Sequence, residues 1–245
     1  MLSPLVKADT RPTPCSVSAI IPAYNEGSRI SKVLSVLRAV ACLNEIIVVD
    51  DGSTDHTAAE AMREADNDQR FKIVHHEKNL GKGQALFSGW QAASSHFLLL
   101  LDADLIGLTP MHVLALMQPV LDGRADMTLG IFRGGTWRTD LSHFLTPWLT
   151  GQRCLRTELF RYISFPAADG YGFETALTVT AQKYGWRCQS VILYGVSHVP
   201  SETHRGLRRG IATRAKMYAH IVRAWIQAEG WRRVTPHHWV HTLFG

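Results

Sequence analysis

The chain has 245 residues, of which 46% are hydrophobic and 19% charged, which supports one medium-sized core and excludes a globally disordered protein. It has no run of about eighteen apolar residues, so the sequence predicts no membrane-spanning helix. The formal net charge is +5, but eight basic residues and a single acid follow Thr203, so the basic excess belongs to the end of the chain.

The first segment, residues 1–15, contains several prolines and lacks the apolar core of a secretory signal, so we expect a flexible lead-in. The four cysteines are scattered without a CxxC pair or metal-ligand spacing. They therefore indicate reduced thiols and a cytoplasmic protein rather than a disulfide framework or a zinc site.

The first half alternates between apolar β-branched runs and segments of helical periodicity. Strands are predicted at 16–22, 45–50, 70–76 and 96–102. Between them, apolar residues from Ile30 to Leu37 share one helical face, and helical patterns cover 57–65 and 83–94. This alternation predicts an α/β fold with an open, mostly parallel central sheet and helices on both faces.

The second half is less regular. It contains a predicted strand at 126–132, a helix at 172–185 and a last strand at 188–196. Residues 204–228 can be wound as one amphipathic helix with arginines outside its apolar face.

Carboxylates follow the strands of the first half. Asp50 and Asp51 end the second strand, and Asp102 and Asp104 end the fourth, in the stretch FLLLLDADLIG. Ligands of parallel sheets bind beyond the carboxyl ends of the strands, so we expect these side chains to converge on one site. Solvated loop aspartates and simple helix capping after Asp51 are the alternative interpretations.

The D-x-D pair points to a specific chemistry. Two carboxylates on one side of an extended segment repel each other unless a cation or a sugar hydroxyl lies between them. Hard divalent ions such as Mg²⁺ or Mn²⁺ bind one or two carboxylates together with phosphate oxygens, so a diphosphate ligand is predicted. PAYNEG after the first strand is not a GxGxxG turn, and GKGQ at 81–84 is not a P-loop.

Five segments, taken in order, resemble a glycosyltransferase of family 2 with the GT-A fold. They are IIPAYNE, IIVVDDGSTDHT, NLGKGQAL, LLLDADL and GYGFETAL. The resemblance covers about residues 16–200, and within the family it is strongest to the glucosyl-3-phosphoglycerate synthase-like group. It implies a catalytic domain at 16–200, with a nucleotide-binding half at 16–107 and an acceptor half at 108–200, followed by a tail at 201–245.

The resemblance also implies the donor and metal residues. A nucleotide-diphosphate sugar of the UDP or GDP type would contact residues at the strand ends and in the GKG segment, namely Pro22, Tyr24, Glu26, Asp51, Gly81, Lys82, Asp102 and Ala103. A divalent cation, Mg²⁺ or Mn²⁺, would be bound by Asp104 and His198. Asp102 would instead contact ribose or sugar hydroxyls.

The catalytic residues implied by the resemblance are Glu174, Asp169 and Lys82. Lys82 would stabilise the leaving diphosphate together with the metal. Glu174 would act as the base of an inverting reaction, with Asp169 in reserve, or would orient hydroxyls in a retaining one.

The acceptor segment would be the loop LTGQRCLR at 149–156, with Gly151, Gln152 and Arg153 as contacts. Arginine suits an acceptor that carries phosphate or carboxylate. The chain departs from the processive members of the family because it lacks a late QxxRW motif.

Several alternatives remain open at this point. If the basic, tryptophan-containing tail binds the inner membrane surface, a polyprenyl-phosphate or glycolipid acceptor is expected instead of a small anionic one. A nucleic-acid-binding module is a second alternative, although we expect that the protein binds no nucleic acid. A nucleotidyltransferase would need a glycine-rich basic loop after the first strand, which is absent here. A homodimer is compatible with the sequence.

Overall fold

A computed structural model describes residues 16–134, 150–163 and 172–198. The strands are β1 Val17–Ala23, β2 Glu45–Asp50, β3 Phe71–His75, β4 Phe97–Leu100, β5 Leu105–Ile106, β6 Met127–Arg133, β7 Arg153–Arg156, β8 Cys188–Tyr194 and β9 Ser197–His198. The helices are α1 Ile30–Arg38, α2 Thr57–Ala65, α3 Lys82–Ala92, α4 Pro110–Leu121 and α5 Gly172–Tyr184, with a 3-10 helix at Thr157–Tyr162.

The central sheet has seven strands in the order β3-β2-β1-β4-β7-β6-β8. Strand β7 is antiparallel to both of its neighbours, β4 and β6, while the other paired strands are parallel. The predicted mostly parallel sheet is therefore confirmed. The second sheet among the described residues is the short antiparallel pair β5-β9.

The core lies on both faces of this sheet because most residues of the inner strands β1, β2 and β4 are apolar, whichever face their side chains lie on. Ile20 of β1 is in register with Ile47 of β2 and Leu100 of β4, and all three side chains are buried on the face covered by α3 and α5. The alternate residues Ala19 and Ile21 face α1 and α4. This burial on both sides explains the unbroken apolar runs in the sequence.

Two parts of the secondary structure differ from the sequence prediction. The segment 149–156 was predicted as a loop, but Arg153–Arg156 forms β7 in the middle of the sheet. The sequence pattern predicts no helix at Pro110–Leu121, where the structure forms α4. That helix begins with a local signal, since Thr109 caps it through the backbone N–H of His112 and Pro110 is at its first position.

The division of the chain at residues 107 and 200 stays a prediction. The lead-in, the tail and Asp169 lie outside the described residues. No helix within the described ranges is both long enough and apolar enough to cross a membrane.

A buried glutamate links three strands at the edge of the sheet where β2 begins. Glu45 accepts hydrogen bonds from Ser18 of β1, from Lys72 of β3, and from the backbone N–H and hydroxyl of Ser94, each of the last two at 2.8 Å. Burial alone would raise the pKa of Glu45, but these donors outweigh it and lower the pKa from 4.5 to about 2.

We predict that this network makes the free energy of unfolding fall as the pH is lowered. Because the pKa is lowered in the folded state, the stabilisation is complete above the ordinary value of 4.5 and is lost as the pH falls toward 2. It amounts to about 3 kcal/mol at neutral pH, of which about 2 kcal/mol is lost by pH 3. Urea unfolding from pH 7 to pH 3 should show this loss in the parent protein and a smaller loss in Glu45→Gln.

The control is Glu158→Gln, because the Glu158 side chain is 59% exposed. That variant should follow the parent curve. A Glu45→Gln protein with the same pH dependence as the parent would contradict the assignment.

Candidate functional site

The carboxyl ends of β1, β2 and β4 meet at one edge of the sheet, as expected for neighbouring parallel strands. Asp51 follows β2, and Asp102 lies two residues beyond the end of β4. Next to them β5 pairs with β9, in a register that places Leu105 opposite His198. The short sheet thus brings His198 back onto the aspartate pair.

The β5-β9 pair requires a close contact between two glycines. A Cβ at Gly107, where φ is +75°, would lie 2.2 Å from the carbonyl oxygen of Gly195. A side chain at position 107 would therefore push the backbone of one segment away from the other.

Asp102, Asp104 and His198 form a candidate metal site. One ligand atom from each lies within 4.8 Å of the others. Nδ1 of His198 is 3.1 Å from Oδ1 of Asp104, and its Nε2 is 3.9 Å from Oδ2 of Asp102. Carboxylate oxygens with one imidazole suit Mn²⁺ and are compatible with Mg²⁺, so the residues present fit a divalent cation. Asp102, predicted to contact ribose or sugar hydroxyls, belongs to the same group of possible ligands.

The negative charge of the site favours the protonated, cationic form of the His198 imidazole. Burial alone would lower the pKa of His198, but the hydrogen bond to Asp104 and the negative charges of Asp102 and Asp104 outweigh it and raise the pKa. An imidazole binds metal only without its proton, so protons and metal compete for this residue.

Lys82 joins the aspartate pair to α5. Its ammonium is 2.6 Å from Oδ1 of Asp102 and 2.6 Å from Oε1 of Glu174. Burial alone would lower the pKa of Lys82, but the two carboxylates outweigh it and raise the pKa. In return, Lys82 and His198 overcome the effect of burial on Asp102 and lower its pKa to about 2. Lys82 and Glu174, predicted as catalytic from separate motifs, are thus in direct contact.

Glu174 lies in the first turn of α5 and is only 2% exposed. Its Oε1 pairs with Lys82, while its buried Oε2 receives no hydrogen bond from the described residues. A buried carboxylate oxygen without a donor is costly, and such atoms occur where a ligand supplies the donor.

Gly151 and Gln152 lie directly against the Lys82–Asp102 pair. The side-chain amide of Gln152 donates to Oδ2 of Asp102 at 2.8 Å. A Cβ on Gly151 would be 2.7 Å from both carboxylate oxygens of Asp102 and 2.8 Å from Nζ of Lys82. The segment predicted to bind the acceptor is therefore next to the predicted donor residues, and glycine is required for this approach.

Arg153 is placed differently from the sequence prediction. It begins β7 rather than lying in a loop, and it is only 1% exposed. Its guanidinium donates to the backbone oxygens of Thr150 and Glu174 and to Oγ1 of Thr178. Burial lowers its pKa to about 10. This arrangement does not favour direct contact with an acceptor, and it holds the segment at 150–152 against α5.

The remaining residues predicted for the nucleotide lie around the same edge. Asp51 is 3% exposed, and its carboxylate accepts hydrogen bonds from the backbone N–H groups of Leu80 and Gly81. Burial raises the pKa of Glu26, the hydrogen bond from Arg29 opposes this rise, and the charge of Asp104 adds to it. Pro22 lies in β1, Tyr24 is 43% exposed beyond it, and Ala103 is 4% exposed.

The sequence motifs predict no role for His76, whose ring contacts the carboxylate of Asp51. No local pattern marks this contact, since the two residues are joined only through the pairing of β2 with β3.

The family model for "Glycosyl transferase family 2" matches residues 18–184. This chain belongs to glycosyltransferase family 2. Among its relatives, the glucosyl-3-phosphoglycerate synthase of Mycobacterium tuberculosis is 28% identical over 202 residues, which cover 67% of this chain and 60% of the relative. The chain therefore spans about three fifths of the length of this curated relative.

Solved structures of the same synthase are similar to this glycosyltransferase. The complex with Mn²⁺, UDP-glucose and phosphoglyceric acid has a TM-score of 0.70 and 27% identity, covering 85% of this chain and 79% of that one. The complex with Mn²⁺, UDP-glucose and glycerol 3-phosphate has a TM-score of 0.69 and 26% identity over the same shares, 85% and 79%. The predicted GT-A fold and the resemblance to this group are confirmed.

In this family 2 glycosyltransferase we predict that Lys82 also stabilises the fold. Lys82→Met would leave Asp102 and Glu174 facing each other without the cation between them. The free energy of unfolding should fall by about 1–3 kcal/mol, less than for a fully buried ion pair because Lys82 is 31% exposed. Urea unfolding at pH 7 with a chelator measures this loss.

The matched control is Lys72→Met, which removes another lysine from a buried acid. Glu45 would keep its bonds to Ser18 and Ser94, so this variant should lose less stability than Lys82→Met. An equal or larger loss in the control would contradict the proposed role of Lys82.

Proposed function

We propose that this chain is a metal-dependent glycosyltransferase that moves a hexose from a nucleotide-diphosphate sugar to a small phosphorylated acid. The observation that carries the proposal is the convergence of two groups on one sheet edge. One group is the candidate metal site, Asp102, Asp104 and His198, and the other is the ion pair of Lys82 with Glu174. Family membership and the ligands of the M. tuberculosis synthase complexes support the same reaction class.

The donor diphosphate would lie between the metal site and the beginning of α3. A divalent cation held by Asp104, His198 and Asp102 supplies positive charge to the phosphate oxygens when it is bound. Lys82 begins α3, where backbone N–H groups also favour an anion. Its ammonium has three donors, so it can turn one toward the leaving diphosphate while it keeps Glu174 in place.

Gln152 and Glu174 would orient the sugar and the acceptor. Gln152 fixes the rotamer of Asp102 through its amide, and Lys82 fixes one oxygen of Glu174. The other oxygen, Oε2, has no hydrogen-bond donor in the described part of the chain and would accept a hydrogen bond from a substrate hydroxyl, a contact that inverting and retaining reactions both use.

The acceptor proposal rests on the M. tuberculosis synthase, whose complexes contain phosphoglyceric acid or glycerol 3-phosphate with UDP-glucose. UDP-glucose and 3-phosphoglycerate are therefore the first substrates to test. The lipid-phosphate and nucleic-acid alternatives depend on the tail at 201–245, which lies outside the described residues, so they stay predictions. Cytoplasmic location, peripheral membrane contact and a homodimer also stay predictions.

The donor proposal predicts selective thermal stabilisation. With Mn²⁺ present, a UDP-sugar at about 100 times its Kd should stabilise the protein by about 2.7 kcal/mol. GDP- and dTDP-sugars at the same concentration serve as comparisons, and a chelator should abolish the effect. Stabilisation by none of these nucleotides would count against a nucleotide-sugar enzyme.

The metal proposal predicts the behaviour of Asp104→Asn. Loss of one anionic ligand should lower glucose transfer from UDP-glucose by on the order of 100-fold or more, with a weaker response to added Mn²⁺. UDP release measured over a range of Mn²⁺ concentrations tests this. The control is Asp122→Asn, an acid 38% exposed beside Arg124 at the end of α4, which should match the parent. Full activity in Asp104→Asn would exclude the proposed metal site.

A further inference from the structure

Three polar side chains, Asp51, His76 and Ser88, form a hydrogen-bonded row next to the GKG segment, residues 81–83. None of the three belongs to the candidate metal site. Nδ1 of His76 is 2.7 Å from Oδ1 of Asp51, and Nε2 of His76 is 2.9 Å from Oγ of Ser88. The His76 side chain is 9% exposed and that of Asp51 is 4% exposed. Because a carboxylate only accepts hydrogen bonds, Nδ1 carries the hydrogen in this contact, and the hydroxyl of Ser88 can either donate to Nε2 or accept from it.

At its other end, this row of side chains reaches the backbone where the GKG segment begins, at residues 80 and 81. Oδ1 of Asp51 accepts from the N–H of Leu80 at 2.9 Å, and Oδ2 accepts from the N–H of Gly81 at 2.8 Å. Gly81 has φ +91° and is the N-cap residue of α3, immediately before Lys82. The position of the Asp51 carboxylate therefore fixes where the first residue of α3 lies.

The same segment is tightly packed against the turn after β2. A Cβ on Gly52 would lie 2.5 Å from the backbone carbon of Lys78 and 2.7 Å from the nitrogen of Asn79. The N–H of His76 also donates to the backbone oxygen of Asp50 at 2.9 Å. With the backbone this close, the segment has little room to compensate for a rotation of Asp51.

The carboxylate of Asp51 could bind the nucleotide, or it could hold the protein's own backbone in place. This carboxylate has about four acceptor positions, and Leu80, Gly81 and His76 occupy three of them. At most about one position is left for a ribose or a base, so most of the bonding capacity of Asp51 is used to hold the protein itself.

We propose that His76 is a positioning residue of the donor site, which sets the rotamer of Asp51 and through it the placement of Gly81 and Lys82 against Asp102 and Glu174. This inference rests on the proposed function, because it assigns His76 to the binding of the donor diphosphate. A displacement of about 1 Å at a group that contacts the reacting part of a substrate lowers activity by about 100-fold. His76 acts through Asp51 and contacts no substrate.

The Ser-His-Asp order resembles the relay of serine hydrolases, but the geometry around Ser88 does not fit a nucleophile. Ser88 lies inside α3, so the backbone N–H groups around it are used within the helix and do not form an oxyanion site. Labelling of Ser88 by a fluorophosphonate probe would overturn the positioning role.

The test compares His76→Asn with His76→Gln and His76→Leu. The asparagine amide can occupy the place of Nδ1 and keep the bond to Asp51, glutamine can keep only the bond to Ser88, and leucine keeps neither. We expect the KM for UDP-glucose to rise about 10- to 100-fold in His76→Leu and His76→Gln and to stay within about threefold of the parent in His76→Asn. The KM for the acceptor should change by less than about twofold in all three.

The matched control is His75→Leu. His75 is the adjacent histidine and also contacts an aspartate, Asp50, but its side chain is 59% exposed and its partner does not touch the GKG segment in the described contacts. This variant should keep the KM of the parent for both substrates. An equal rise in donor KM for His75→Leu would show a general effect on the strand ends and overturn the proposal.

Two further readouts separate this proposal from the proposed function. Amide hydrogen exchange at Leu80 and Gly81 should accelerate in His76→Gln but not in His76→Asn, and the calorimetric affinity for UDP with Mn²⁺ should fall only in the former. If the parent transfers no glucose to any acceptor, the proposed function fails, while exchange and UDP binding still decide the role of His76. If His76→Leu does not fold, the glutamine and asparagine variants carry the comparison, and equal behaviour of these two overturns the proposal.

Discussion

The position of one ammonium group between two carboxylates organises the site. Asp102 and Glu174 come from distant parts of the chain, the first beyond β4 and the second in α5, and each is 2.6 Å from Lys82. Without that cation, the carboxylates of Asp102 and Glu174 would repel each other in a site that is partly shielded from water. Because Lys82 begins α3, its ion pairs join the predicted nucleotide-binding half, residues 16–107, to α5.

Strand β7, the one reversed strand among the described strands of the central sheet, explains why the predicted acceptor segment reaches this point. A parallel β7 would carry its first residue to the opposite edge, where Glu45 lies. Since β7 runs against β4, the residues before it, Gly151 and Gln152, arrive at the same edge as Asp102. The buried guanidinium of Arg153 then anchors the segment to the backbone of α5.

The sequence was sufficient for the parts of the fold that depend on local patterns. Strands β1, β2 and β4 are largely apolar on both faces, so their apolar runs predict them, and the sequence alone also predicts the aspartates at the ends of β2 and β4 as site residues. Strand β7 was missed because a four-residue stretch with arginine at both ends has no apolar periodicity, and its buried arginine is satisfied by backbone oxygens that only the folded chain supplies. The links from Glu174 to Lys82 and from His76 to Asp51 were likewise invisible, because they depend on which side chains the tertiary structure brings together.

The β5-β9 pairing, which the close approach of Gly107 to Gly195 permits, decides when the candidate metal site can form during synthesis. His198 is the last of the three candidate metal ligands along the chain, and it reaches Asp104 through a ladder of only two residue pairs. During ribosomal synthesis the two aspartates emerge more than ninety residues before their histidine partner. If these residues hold an ion, its full coordination therefore requires synthesis through residue 198, and before that point this trio can offer only the carboxylate oxygens of Asp102 and Asp104.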